Sequence, residues 1–136
     1  MPLDPVEAFE VQRPRLLYLA YRMLGSRHEA EDIVQESWLR WRNADQDAVQ
    51  EPAAWLTRVV SRLCLDHMKS ARVRRETYPG IWLPDPLLEP EDDDLRADNL
   101  TRTLMMALDR LSPLERAAFL LHDIFGERLD EVAATI

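Results

Sequence analysis

Apolar residues recur along this chain at intervals of three and four, the spacing of helices packed on one side. Over Pro5–Leu24 the pattern is carried by Leu16, Leu17, Ala20, Met23 and Leu24. Pro14 interrupts it and is expected to open a fresh helix as its first residue. Gly25 suits a C-terminal cap and Ser26 the N-cap of a second helix, Arg27–Trp41. There Ala30, Ile33, Val34, Ser37, Trp38 and Trp41 share a face. A polar loop from Asn43 to Glu51 leads to Pro52, placed as a first-turn proline. The third helix, Pro52–Arg75, is the longest. Leu56, Val59, Val60, Leu63, Cys64 and His67 form its apolar side.

From Thr77 to Glu91 the chain holds Pro79, Pro84, Pro86 and Pro90 with Gly80, the composition of a linker. The carboxylates Glu91–Asp94 favour a helix start, because the N-terminal end of a helix carries partial positive charge. That helix is expected to reach Leu111. Ser112-Pro113-Leu114-Glu115 reads as an N-cap, a first-turn proline and a capping-box glutamate. The helix that follows carries Ala117, Ala118, Leu120, Leu121 and Ile124, and a last one begins at Leu129. The fold class is all-α: an N-terminal helical bundle over residues 1–76, a Pro-rich acidic linker over 77–95, and the start of a second bundle over 96–136.

Composition agrees: glycine is scarce, at three of 136 residues, and 31% of residues are charged. The net charge of -8 argues against a general nucleic-acid binder, but the charge is unevenly spread. Arg58, Arg62, Lys69, Arg72, Arg74 and Arg75 are opposed locally by only Asp66 and Glu76. The acidic residues concentrate between Asp85 and Asp98. One cysteine, Cys64, allows no intrachain disulfide and fits a reducing, cytoplasmic setting. No apolar run approaches the roughly 20 residues of a membrane span, and the N-terminus lacks the basic start and apolar core of a signal peptide. No membrane partner is expected.

Catalytic chemistry finds little support, and neither an enzyme nor a bound cofactor is expected. His28 with Glu31 or Asp32 is a fragment of a di-metal motif that needs paired copies from several helices, so no metal site is expected. Cys64, Asp66 and His67 form no triad: Cys64 and His67 share the apolar side of the helix, where core packing accounts for both, and Asp66 points elsewhere. His122-Asp123 reads as a surface pair, and no Gly-rich phosphate loop is present. Trp38, Trp41 and Trp55 could stack on bases, although their spacing favours core anchoring.

The third helix is more telling. Arg58, Arg62, Asp66 and Lys69 follow one side at spacings of four, four and three, with Arg72 extending the charged end. A basic stripe beside an apolar one can track a nucleic-acid backbone while its other side holds a core. Asp32, Gln35 and Glu36 form an acidic patch on the second helix, suited to a basic protein partner. Either set could also be a solvated helix face.

Four segments together resemble sigma factors of the extracytoplasmic-function (ECF) type. Residues 30–41, with Asp32, Gln35-Glu36 and Leu39, resemble the sigma helix that docks on the clamp coiled coil of the RNA polymerase beta-prime subunit. Residues 55–66 resemble the helix that reads and opens the minus-ten element. Residues 111–116 are similar to the start of the second sigma domain, and residues 129–136 to the first helix of its helix-turn-helix.

The resemblance implies a sigma-2-type bundle and the start of a sigma-4-type domain. Core RNA polymerase and single-stranded minus-ten promoter DNA are the implied partners. It assigns polymerase binding to Asp32, Gln35, Glu36 and Leu39. DNA binding falls to Arg58, Arg62, Asp66, Lys69, Arg72, Arg74 and Arg75. The family often has Asn where Arg62 stands, which leaves base preference open. Asp66 would repel phosphate and is expected to orient Arg62 or to accept a bond from a base amine. Residues 43–54 correspond to the element that captures a flipped base, an extrusion costing a few kcal/mol.

Tyr78–Pro86 resembles the linker of a subgroup with a fused C-terminal regulatory domain of polyketide-cyclase-like fold. That domain, or an anti-sigma factor, is the implied regulator. As given, the chain stops in the first helix of the helix-turn-helix and is expected to bind polymerase better than it selects promoters. The competing reading is a helical interaction module, or a sigma-domain mimic, that never reads DNA.

Overall fold

Local chemistry sets each helix boundary. The Asp4 carboxylate accepts the Glu7 backbone N–H at 2.9 Å and Pro5 follows it, so helix α1 starts there and runs Pro5–Leu24. Gly25, at φ 74°, ends it with its N–H bonded to the Tyr21 carbonyl. Pro14 does not open a new helix, contrary to the expectation from sequence; α1 continues through it. The proline lies on the exposed side, where water can satisfy the carbonyl its missing N–H leaves free. Phe9 and Leu16, on either side of it along the chain, are fully buried.

Helix α2, Arg27–Asn43, begins at Ser26, whose hydroxyl accepts the Glu29 N–H at 3.2 Å. It runs two residues past Trp41, and a 3₁₀ turn, Gln46–Ala48, follows. The remaining helices are α3 (Pro52–Thr77), α4 (Leu95–Leu108), α5 (Pro113–Phe119) and α6 (Leu129–Thr135). A π-helical turn, Leu120–Ile124, continues α5. The computed structural model describes the backbone of residues 4–77 and 95–136, and the side chains of 4–71 and 102–136. The acidic run Glu91–Asp94, expected to start a helix, lies outside the described residues. The Ser112 cap forms as expected: its hydroxyl accepts the Glu115 N–H, and the Glu115 carboxylate accepts the Ser112 N–H at 2.9 Å. Hydrogen bonding to the carboxylate from the Ser112 backbone N–H, and then from the Ser112 side chain, holds the Glu115 carboxyl below its ordinary range.

Helices α1, α2 and α3 pack mutually into a bundle. Its core joins Leu16, Leu19, Ala20 and Met23 of α1 to Val34 and Trp41 of α2 and to Leu56, Val60 and Cys64 of α3. Trp41 is 2% exposed; its ring meets Trp55 at 5.4 Å and its N–H bonds to the Pro5 carbonyl at 2.8 Å. Phe9 meets Trp38 at 5.2 Å. The tryptophans of α2 and α3 therefore anchor the core. His67 departs from the expected apolar packing. Half-buried at the edge of α3, it places Nε2 3.2 Å from the Glu29 carboxylate of α2, because its ring carries polar nitrogens that seek a partner.

The segment 102–136 folds back onto this bundle. Helix α5 packs on α3 and α1, the π turn on α1, and α6 on α3. Met105, Leu108, Ala117, Leu120, Leu121 and Val132 join the same buried cluster. Arg116 ties the two parts together. Buried, it donates to the Met23 carbonyl of α1, the Leu108 carbonyl of α4 and the Asp109 carboxylate. Three directed donors from one planar group fix α5 in orientation as well as position.

Leu56 is fully buried between α3 and its neighbours. Leu56→Ala should therefore cost roughly 2–5 kcal/mol of stability. The expected readout is a lower urea midpoint with an unchanged denaturant slope.

Candidate nucleic-acid interface

Helix α3 has its buried side set by Leu56, Val60 and Cys64, which leaves Arg58, Arg62, Asp66 and Lys69 exposed. These four share one stripe, as their spacing predicts. The side chains of Arg72, Arg74 and Arg75 lie outside the described residues; their backbone belongs to α3.

Arg62 is not a free surface cation. Its Nε donates to the Thr135 carbonyl at 3.1 Å and its Nη2 to the Ala134 carbonyl at 3.2 Å, both near the C-terminal end of α6. Those carbonyls belong to α6. Among the described residues no ion pair joins Arg62 to Asp66, so α6, not Asp66, orients the guanidinium. A groove bounded by Arg62, Asp66, Lys69, Pro113 and Ile136 opens beside this contact.

Arg58 lies near enough to Glu127, in the loop before α6, to act on it electrostatically. Burial raises the Glu127 carboxyl above its ordinary range, against the pull of Arg15, and Glu131 reinforces the rise while Arg58 opposes it. Arg15 Nη2 stands 3.9 Å from the Glu127 carboxylate. Another nitrogen of Arg15 donates to the Thr57 hydroxyl, and its guanidinium lies over the Phe125 ring. Arg15 of α1 thus ties the loop leading into α6 to Thr57 of α3. Sequence reasoning missed Arg15 and Glu127 in this contact, and Arg116 as the tie between α5 and α1. Arg15 and Glu127 lie on elements that only the tertiary fold brings together, so no local periodicity could have marked the pair.

The second candidate surface is on α2. Asp32, Gln35 and Glu36 are exposed, and Leu39 is half-buried beside them. Glu36 pairs with Arg40 at 3.4 Å, and Asp32 lies 3.8 Å from His28. Between the two helices, the 3₁₀ turn is tied to α2 by a bond from the Gln46 amide to the Trp41 carbonyl at 2.9 Å. Val49 packs against the core behind it.

Cys64 is buried, which pushes its thiol well above the ordinary value and disfavours the reactive thiolate. Among the described residues, no group of three or more His, Cys, Asp or Glu side chains could hold a metal ion. No described helix is long and apolar enough to cross a membrane.

The fold is an all-helical bundle that offers an acidic helix face on α2 and a separate guanidinium stripe on α3. Comparison with known proteins is specific. Residues 8–74 match the Sigma-70 region 2 family. The chain is 45% identical over 137 residues to the ECF RNA polymerase sigma factor SigJ of Mycobacterium tuberculosis, covering 96% of this chain and 44% of that protein. It is 40% identical to the probable ECF sigma factor SigI of the same species, over 98% of this chain and 48% of the relative. The crystal structure of M. tuberculosis SigJ superposes with a TM-score of 0.67 at 41% identity, covering 96% of this chain and 46% of that one. The chain belongs to the ECF family of RNA polymerase sigma factors. It spans slightly less than half the length of these relatives.

The raised Glu127 carboxyl has a definite sign. The folded protein holds that proton more tightly than the unfolded chain does. The stability it contributes is complete below the ordinary glutamate value and falls as pH rises through the raised one. Glu127→Gln should remove this component and, at neutral pH, leave a protein at least as stable as the parent. Thermal melts of the two proteins from pH 4 to pH 7 should diverge as pH rises; a less stable glutamine variant at pH 7 would contradict it.

Proposed function

We propose that this chain is the promoter-opening part of a transcription initiation factor, with a division of labour between α2 and α3. In this reading the α2 patch of Asp32, Gln35, Glu36 and Leu39 docks on the clamp coiled coil of the polymerase beta-prime subunit. The α3 stripe of Arg58, Arg62 and Lys69, extended by Arg72, Arg74 and Arg75, engages the displaced minus-ten strand. Asp66 accepts a bond from a base amine, and the loop 43–54 receives a flipped base. Residues 1–76 act as a sigma-2-like domain, 77–95 as a linker and 96–136 as part of a sigma-4-like domain. The work is binding, not catalysis, and its setting is the cytoplasm, where bacterial transcription occurs.

The observation that carries this reading is the placement of the two charged sets on separate helices of a domain that matches Sigma-70 region 2. The acidic face suits a basic protein surface, where charge complementarity sets orientation and encounter rate. Guanidinium groups suit phosphate, and each neutralised phosphate adds a salt-dependent increment to affinity. Each set has one apolar neighbour, Leu39 on α2 and Leu65 on α3, able to add contact area without adding charge.

Two substitution sets separate the roles. Charge reversal at Asp32 and Glu36 should weaken co-purification with core polymerase roughly tenfold or more, as removal of close complementary charges does. An unchanged pull-down counts against the docking assignment. Replacing Arg58 and Arg62 with Ala should spare polymerase binding and abolish opening of a duplex promoter, read as permanganate reactivity of unpaired thymines. Retained reactivity contradicts the α3 assignment.

A further inference from the structure

Helices α2 and α3 each pack more extensively on α1 than on each other. Two side-chain contacts mark the ends of their shared seam. Near the connecting turn, the Trp41 and Trp55 rings meet at 5.4 Å. At the far end, His67 Nε2 stands 3.2 Å from the Glu29 carboxylate. Equal lengths of helix separate the two contacts, from 41 back to 29 and from 55 on to 67, roughly 18 Å at the rise of an α-helix. We propose that Glu29 and His67 form a clasp that fixes the angle between α2 and α3, and so positions the α3 stripe on promoter DNA once α2 has docked on polymerase. The inference rests on the functional reading above.

Glu29 forgoes a local partner to make this contact. Ser26 and Glu29 have the spacing of a capping box, and the Ser26 hydroxyl accepts the Glu29 N–H. The reciprocal bond, from the serine N–H to the glutamate, forms at Ser112 and Glu115 but, among the described residues, not at Ser26 and Glu29. The Glu29 carboxylate reaches instead to α3, where it and His67 are both half-buried. His67 Nε2 is itself buried, and its approach to the carboxylate is short without the angle of a well-aligned hydrogen bond. Facing a carboxylate, that nitrogen carries a proton. Without Glu29 the buried donor loses the partner the fold offers it. The clasped span encloses the α2 patch and, on α3, Arg58, Arg62 and Asp66. With the clasp released, the tryptophan contact remains as a pivot and the far ends of both helices gain freedom about it. A stripe that must meet a strand in register loses most from such freedom.

The experiment uses the 136-residue chain. Nitroxide labels at His28→Cys and Ser70→Cys, exposed sites flanking the clasp, report the α2–α3 distance by pulsed electron resonance. A control without the new cysteines checks that buried Cys64 stays unlabelled. In unlabelled protein, co-purification with core polymerase and permanganate reactivity of a duplex promoter report function, each below the melting range of the variant. We expect His67→Ala and Glu29→Ala to broaden the distance distribution and to spare polymerase binding. Promoter opening should slow roughly three- to thirtyfold, the span of a coupled pair in contact. The double variant should fall within about twofold of the worse single, because the two side chains act as one. His67→Gln, whose amide donates from the place of Nε2, should restore the narrow distribution and the opening rate.

An unbroadened distribution in both alanine variants overturns the clasp. So does normal opening despite broadening, a double variant that multiplies the single losses, or a glutamine variant no better than alanine. A parent chain that never joins polymerase defeats the functional reading instead, and the distance measurement still decides whether the clasp exists.

Discussion

The arrangement depends on one constraint: α3 is packed on a single side. Leu56, Val60 and Cys64 are each fully buried against α1 and α2. That seam turns the residues two positions on from Leu56 and Val60, Arg58 and Arg62, outward. Burial of the apolar stripe supplies the free energy, roughly 1.5–3 kcal/mol for each fully buried large aliphatic side chain. The guanidinium stripe follows from it geometrically. A residue inserted within α3 would rotate the cations into the core and the leucines into water, so core and candidate reading surface stand or fall together.

The same logic explains why the polar groups inside the bundle are few and placed. Ser37 returns its hydroxyl to the Val34 carbonyl at 2.6 Å, and Thr57 returns its own to the Ala53 carbonyl at 2.8 Å. Each satisfies itself within one turn of its own helix and asks nothing of the packing across it. Arg116 differs, because its partners come from two other helices and from Asp109. A buried cation with three good acceptors specifies one docking geometry where an apolar residue would allow several, even if its net contribution to stability is small. Ser61, whose buried hydroxyl has no hydrogen-bond partner among the described residues, and Arg22 are counter-examples. Arg22 is buried over the Tyr18 ring at 4.8 Å, and its Nε and Nη1 have no hydrogen-bond partner among the described residues. Contact with the Tyr18 and Tyr21 rings offsets part of its desolvation.

Much of the fold was legible because local signals agreed with one another. Gly25-Ser26 and Ser112-Pro113-Leu114-Glu115 each state a boundary in chemical terms, and each boundary is where the structure has it. Pro14 misled because its missing donor is a local fact, whereas its tolerance depends on which side of α1 meets water. The site was half legible. The residue types and their common stripe on α3 could be read from spacing. What faces that stripe could not, because Thr135 and Arg62 are brought together by the docking of α5 and α6, and backbone carbonyls leave no trace in the residue pattern. His67 shows the same limit on a smaller scale: spacing placed it on the apolar side of α3, and only the neighbouring helix brings Glu29 to it.

A separation of charges along the chain therefore does two jobs in sequence space and only one in real space. The net charge of -8 belongs to the molecule, and at long range it repels nucleic acid. Within a Debye length, about 8–10 Å at physiological salt, what matters is the local field of α3. There the carbonyls of α6 and the Glu127 carboxylate answer the guanidinium groups. An acidic protein can present a basic face provided the face is narrow and its cations are fixed. Fixed cations, in turn, are those already holding something. A region 2 helix whose arginines find acceptors within their own chain keeps that face ordered, and any strand that binds there inherits a geometry built by packing rather than by the strand itself.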